Sequence, residues 1–196
     1  MPTAVPTAAP IAMPTALGSW CRTIFPQTSA GAERVAAQQL LTTGTINLGH
    51  GGTYHLTEHP DWKPQATSDT SGDRHVNSLN WALPLLFRGV QVQNQAMVDR
   101  FRQLMLYWIA DHQGQRGAWV DSSIYGGLRT ETLVCAAQTL NDPTITAAAI
   151  RDAQTMVKSN AGARDVAVGS NNTDLIRQTG ALAAFCWTAD WPARDK

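Results

Sequence analysis

Apolar residues recur at three- and four-residue intervals through 97–109: Met97, Val98, Phe101, Leu104, Met105, Trp108 and Ile109. That rhythm predicts an amphipathic helix, with Asp99, Arg100, Arg102 and Gln103 on the opposite face. The stretch 80–92 is apolar more evenly, which predicts an element buried on most sides. Pro84 falls inside it. A proline lacks the backbone donor and disfavours helix just before it, so the helix either starts near Leu83 or kinks there. A third periodic stretch, 128–140, runs into Asn141-Asp142-Pro143, a helix stop. An Ala-rich helix is expected over 144–159, closed by Gly162. A further apolar helix is expected over 174–187, with Asn171, Asn172 or Thr173 as its cap. Upstream, 32–41 reads as a short helix capped by Ser29. Helices joined by short loops pack against their sequence neighbours, so the pattern predicts an all-α chain of antiparallel helical hairpins.

Two stretches do not fit this rhythm. Residues 1–17 are rich in Pro, Ala and Thr and carry no charge. Prolines interrupt any apolar core and no basic start precedes it, so a secretory signal is not legible. A disordered leader over 1–30 is expected, followed by a helical domain over 31–196. The second stretch, 42–72, is long and irregular, and loops of this length in a compact domain usually carry function or wrap the fold. It contains His55-Leu56-Thr57-Glu58-His59, the letters of an inverted zinc-peptidase motif. That chemistry needs both imidazoles on one helix face. Glycines just upstream and Pro60 directly after His59 argue instead for a strand or loop, and no metal site is expected.

With 196 residues the chain is long enough for one domain with a real core. Its formal charge is zero and no basic run stands out, which argues against nucleic acid as a partner. No apolar run approaches the ~20 residues of a membrane span. Cys21, Cys135 and Cys186 are odd in number and widely spaced, which argues against a disulfide framework and a zinc ribbon. Cys135 and Cys186 fall on apolar helix faces and read as small buried hydrophobes. Seven tryptophans, half of all the aromatic residues, stand against three tyrosines and four phenylalanines. They read as core anchors or as stacking platforms for sugar rings.

The order of short motifs resembles the N-terminal region of the heparinase II/III-like polysaccharide lyases. The marks are Pro60-Asp61-Trp62, Asn77-Ser78-Leu79-Asn80-Trp81, and Tyr107-Trp108-Ile109-Ala110-Asp111-His112. Then follow Gly117-Ala118-Trp119, Gly127-Leu128-Arg129 and the Gly169-Ser170-Asn171-Asn172 turn. The likeness spans about 32–187. It implies an incomplete α/α toroid, truncated, with the β-sandwich that forms the opposite cleft wall absent and with no activity alone. It also implies an acidic polysaccharide of the glycosaminoglycan or alginate class as partner, and β-elimination beside a uronate carboxylate without a cofactor. A periplasmic or extracellular setting would suit such a substrate.

The resemblance offers Asn171 and Asn172 as catalytic residues that neutralise the carboxylate, with Thr173 where the family often has histidine. Substrate-binding candidates are Arg129, whose planar fork suits a carboxylate, Trp119 and Tyr125 beside the same loop, and Asn80 and His75 near the Trp81 helix. Each has a structural alternative: capping for the asparagines, a pair with Glu131 or Asp121 for Arg129, packing for Trp119 and Tyr125, a core hydrogen bond for Asn80. A non-catalytic carbohydrate-binding or helical interaction module is the competing expectation. If truncated, the face of Leu175, Ile176, Leu182 and Phe185 would lie partly bare and promote self-association.

Overall fold

The computed structural model describes residues 10–21, 30–47, 52–62, 71–112 and 124–161, with 179, 182–184 and 186. These residues are mostly helical, as the periodicity predicts. In chain order they form α1 (Ala30–Thr42), β1 (Thr45–Asn47), β2 (Thr53–His55), α2 (Ser71–Asn77), a 3₁₀ turn (Asn80–Ala82), α3 (Leu83–Gln91), α4 (Gln95–His112), α5 (Ile124–Leu140) and α6 (Pro143–Ala161). The two short strands pair antiparallel, Ile46 opposite Tyr54.

Pro84 lies in the first turn of α3, where its missing N–H costs nothing, so the helix begins there instead of kinking. Two tight links make the hairpins. Gln93 between α3 and α4 and Asn141 between α5 and α6 both adopt positive φ, the left-handed conformation that ends a helix and reverses the chain. At the first link, Gly89 lets the helices touch: a Cβ there would sit 2.8 Å from Val98 Cγ2 and 3.0 Å from Met97 Cβ. At the second, Asp142 caps α6 by accepting from the N–H groups of Thr144 (2.9 Å) and Ile145 (3.2 Å). Its other oxygen takes a 2.7 Å ion pair from Arg102, which ties α4 to the start of α6.

The core runs between α3, α4, α5 and α6, with Phe101, Leu104, Met105, Trp108, Leu133 and Ile145 all buried. Within it lies a charged pair. Arg129 and Asp152 are 1% and 0% exposed and meet through two parallel bonds, Nε–Oδ2 at 3.0 Å and Nη2–Oδ1 at 2.8 Å. Thr130 donates to the same carboxylate at 2.9 Å, and the Arg129 guanidinium lies 5.0 Å from the Trp108 ring centre. A buried charge needs such partners.

Two expectations are corrected. Residues 10–21, placed in a disordered leader by composition, lie against the helices. Ile11, Met13, Leu17 and Trp20 pack on the core and Gln93 Nε2 donates to the Pro14 carbonyl. Disorder was inferred from low charge and proline content, but those apolar side chains bury enough surface to order the segment. Cys135, expected as a free thiol, is bonded to Cys21 across a separation of 114 residues, while Cys186 remains free. Sequence spacing says nothing about a bridge that distance in the fold alone decides.

No helix among the described residues is long and apolar enough to cross a membrane. The helix expected over 174–187 falls largely outside the described residues; Leu182 is exposed and Ala183 and Ala184 are buried.

Candidate functional site

Four polar side chains of α4 line up at Arg100, Gln103, Tyr107 and Asp111. Intervals of three, four and four residues place them on one face over about three turns. The segment 52–62 runs beside this face and is fastened to it. Arg100 Nη1 donates to the Glu58 carbonyl at 3.0 Å and Nη2 to the Thr57 carbonyl at 3.1 Å. At the far end Trp62 Nε1 donates to Asp111 Oδ2 at 2.7 Å. Asn77 supports Trp62 by donating to its carbonyl at 3.0 Å while accepting from Trp108 Nε1 at 2.8 Å. Within the segment the Tyr54 hydroxyl donates to the Asp61 carbonyl, and the Thr57 hydroxyl to the His59 carbonyl. Burial, with the Asp61 charge adding to it, pushes the Tyr54 phenol above its ordinary range.

This fastening presents His59. Its Nε2 lies 3.3 Å from Asp111 Oδ2, with the two side chains 44% and 32% exposed. The ring tilts against Tyr107, centre to centre 4.4 Å. A carboxylate at Nε2 favours the tautomer with the proton there, so the neutral ring carries its lone pair on Nδ1. Gln103 bridges the rest of the row: its amide nitrogen donates to the Tyr107 hydroxyl at 3.0 Å, and its oxygen accepts from Arg100 Nη1 at 2.8 Å. Among the described residues no carboxylate forms an ion pair with Arg100. Burial pulls its guanidinium below the usual arginine range, while Tyr107 and Glu58 nearby act to hold it up. The row thus joins a half-buried cation, an amide, a phenol and a carboxylate-held imidazole.

The residues singled out in the sequence fare unevenly. Asn171, Asn172 and Trp119 lie outside the described residues. Arg129 pairs with Asp152 because α6 packs directly on α5 and brings a carboxylate to its fork; both nitrogens that face Asp152 are committed, and Asp121, the other partner expected, lies outside the described residues. Tyr125 and His75 do come together, ring centres 5.1 Å apart, and burial lowers the His75 pKa. Asn80 sits within its own turn, its Oδ1 2.7 Å from the Ser78 hydroxyl, which also contacts the His75 carbonyl at 2.6 Å. His55 ends β2, with Nδ1 3.2 Å from Thr45 Oγ1. His55 and His59 therefore serve different neighbours off any helix. Among the described residues no group of three or more metal-ligating side chains converges.

His59, Tyr107, Gln103 and Arg100 were not marked as a site by the sequence. For Arg100, Gln103 and Tyr107 the signal was present in the three-four spacing on the polar side of α4; His59, off that helix, had none. The signal was masked because the same spacing describes any solvated helix face. No protein family, characterised protein or solved structure matches the chain.

Proposed function

We propose that the α4 face with His59 forms one wall of an acidic-polysaccharide site, in the helical portion of a lyase that cleaves by β-elimination. The observation that carries this reading is the row Arg100–Gln103–Tyr107–His59–Asp111. Arg100, a half-buried cation in no ion pair among the described residues, suits a uronate, and beside it stand a phenol and an imidazole of the kind that proton transfer needs.

β-Elimination removes the proton on the carbon next to the uronate carboxylate, and the bond to the glycosidic oxygen then breaks. In this site Arg100 and the Gln103 amide stabilise the negative charge that gathers on the carboxylate. His59 Nδ1 accepts the proton, and the Asp111 carboxylate stabilises the imidazolium that results. The Tyr107 hydroxyl donates to the departing oxygen. The sequence resemblance assigns carboxylate neutralisation to Asn171 and Asn172, which lie outside the described residues. A cleft needs a second wall to hold the sugar and exclude water, and the α4 face with His59 supplies one of the two.

Cleavage is tested by incubating polyuronates with the chain in its longest natural form and following the ultraviolet absorbance of the unsaturated uronate product. Absorbance that grows, and falls roughly 100-fold or more in His59→Ala and Tyr107→Phe, supports the lyase reading. Binding without any unsaturated product would replace it with the non-catalytic carbohydrate-binding module.

A further inference from the structure

Cys21 and Cys135 are each completely buried, with their Cα atoms 4.7 Å apart. They join a surface segment to the middle of α5, and other contacts set the same register. Gly18 N–H donates to Thr139 Oγ1 at 3.0 Å and Trp20 N–H to Gln138 Oε1 at 3.3 Å. The Thr139 hydroxyl lies 3.3 Å from the Cys21 sulfur. Gly18 runs so close that a Cβ would meet Gln138 Cβ at 2.5 Å. Apolar packing, backbone bonds and the bridge therefore agree on one placement of residues 10–21.

We infer that this chain matures in an oxidising compartment outside the reducing cytoplasm, where Cys21–Cys135 closes as a structural disulfide that latches the N-terminal segment across α5. Structural bridges of this kind persist in exported proteins and are rare where glutathione and thioredoxin keep thiols reduced. The oxidant is a protein or small molecule carrying an exchangeable disulfide. The Cys21 thiolate attacks one of its sulfurs and releases the other as a thiolate. The Cys135 thiolate then attacks the Cys21 sulfur, closing the bond and releasing the second thiolate. The pair gives up two electrons and two protons to the oxidant. Closure must precede or accompany docking, since the finished bond is shut away from solvent. Cys186 takes no part and stays a free thiol.

Thiol counting on the full chain decides it. The chain is prepared once by export and once in a reducing cytoplasm, and each sample is denatured and alkylated without reductant. The exported chain is expected to show one reactive thiol and three after reduction, and a non-reduced digest is expected to link the Cys21 and Cys135 peptides. Its midpoint of thermal unfolding is expected to exceed that of the reduced chain by roughly 10 °C or more. Three reactive thiols in the exported chain, a bridge that includes Cys186, or equal stability of the oxidised and reduced chains would overturn the inference.

Discussion

Asp111 Oδ2 serves two partners at once, accepting from Trp62 Nε1 at 2.7 Å and lying 3.3 Å from His59 Nε2. The buried tryptophan fixes the carboxylate, and the carboxylate in turn orients the half-exposed histidine. A static packing contact thereby sets the tautomer of a side chain poised for proton transfer.

Asp111→Asn tests this coupling. The amide oxygen can still accept from Trp62, so the fold should survive. The anionic charge at His59 Nε2 is removed. Nitrogen NMR of His59 at a pH where the ring is neutral should show the Nε2–H tautomer dominant in the wild type and a mixture in the variant. An unchanged tautomer ratio would show that Asp111 does not orient the ring.

The Arg129–Asp152 pair should behave as a buried unit. Asp152→Ala leaves the Arg129 charge buried beside Trp108 without its carboxylate, and loss of one partner of such a pair typically costs about 3–5 kcal/mol. Replacing both together, Arg129→Met with Asp152→Leu, should recover most of that loss. Denaturant unfolding of the two variants measures the difference; equal destabilisation in both would mean that volume and not charge decides.

Glu131 gives the chain a pH dependence. It is 4% exposed, and burial raises its carboxyl to about 8. Between the ordinary carboxylate value and about 8 the folded chain holds a proton there that the unfolded chain has released. Its effect is therefore least costly at low pH, and stability falls by about 1.4 kcal/mol per pH unit as pH rises through that window. Glu131→Gln should remove this slope. The variant should match the wild type near pH 4 and unfold at higher temperature near pH 8. Parallel thermal melts across that range would contradict the assignment.

Gly89→Ala probes the α3–α4 hairpin. The added methyl would meet Val98 Cγ2 at 2.8 Å and Met97 Cβ at 3.0 Å, so the helices must separate. Overpacking of this kind costs about 1–3 kcal/mol, read as a lower denaturant midpoint at unchanged slope. A variant as stable as the wild type would show that the hairpin yields freely.

The long helices were legible because their apolar spacing repeats over three turns or more: 97–109 lies within α4, 128–140 within α5 and 144–159 within α6. The strands and α2 were not, since three or seven residues hold too little of a period to recognise. Pairings across the fold were equally hidden. Asp152 as the partner of Arg129, Cys21 as that of Cys135, and Asp111 as that of Trp62 and His59 all depend on which segment packs on which. The tryptophan excess did divide as packing would have it: Trp62 and Trp108 are core anchors whose ring N–H groups are satisfied by Asp111 and Asn77. Composition misled once, where a proline-rich start was read as disorder although Ile11, Met13, Leu17 and Trp20 reach the core.

The central claim, that α4 and His59 present an acidic-glycan site, is tested most directly by calorimetric titration with a defined oligouronate and a neutral glucan of equal length. The account predicts salt-sensitive binding of the oligouronate, no binding of the neutral chain, and at least a ~10-fold weakening in Arg100→Gln and Tyr107→Ala variants that keep the wild-type helical spectrum. Equal affinity for both glycans, no affinity for either, or full affinity in those folded variants would contradict it.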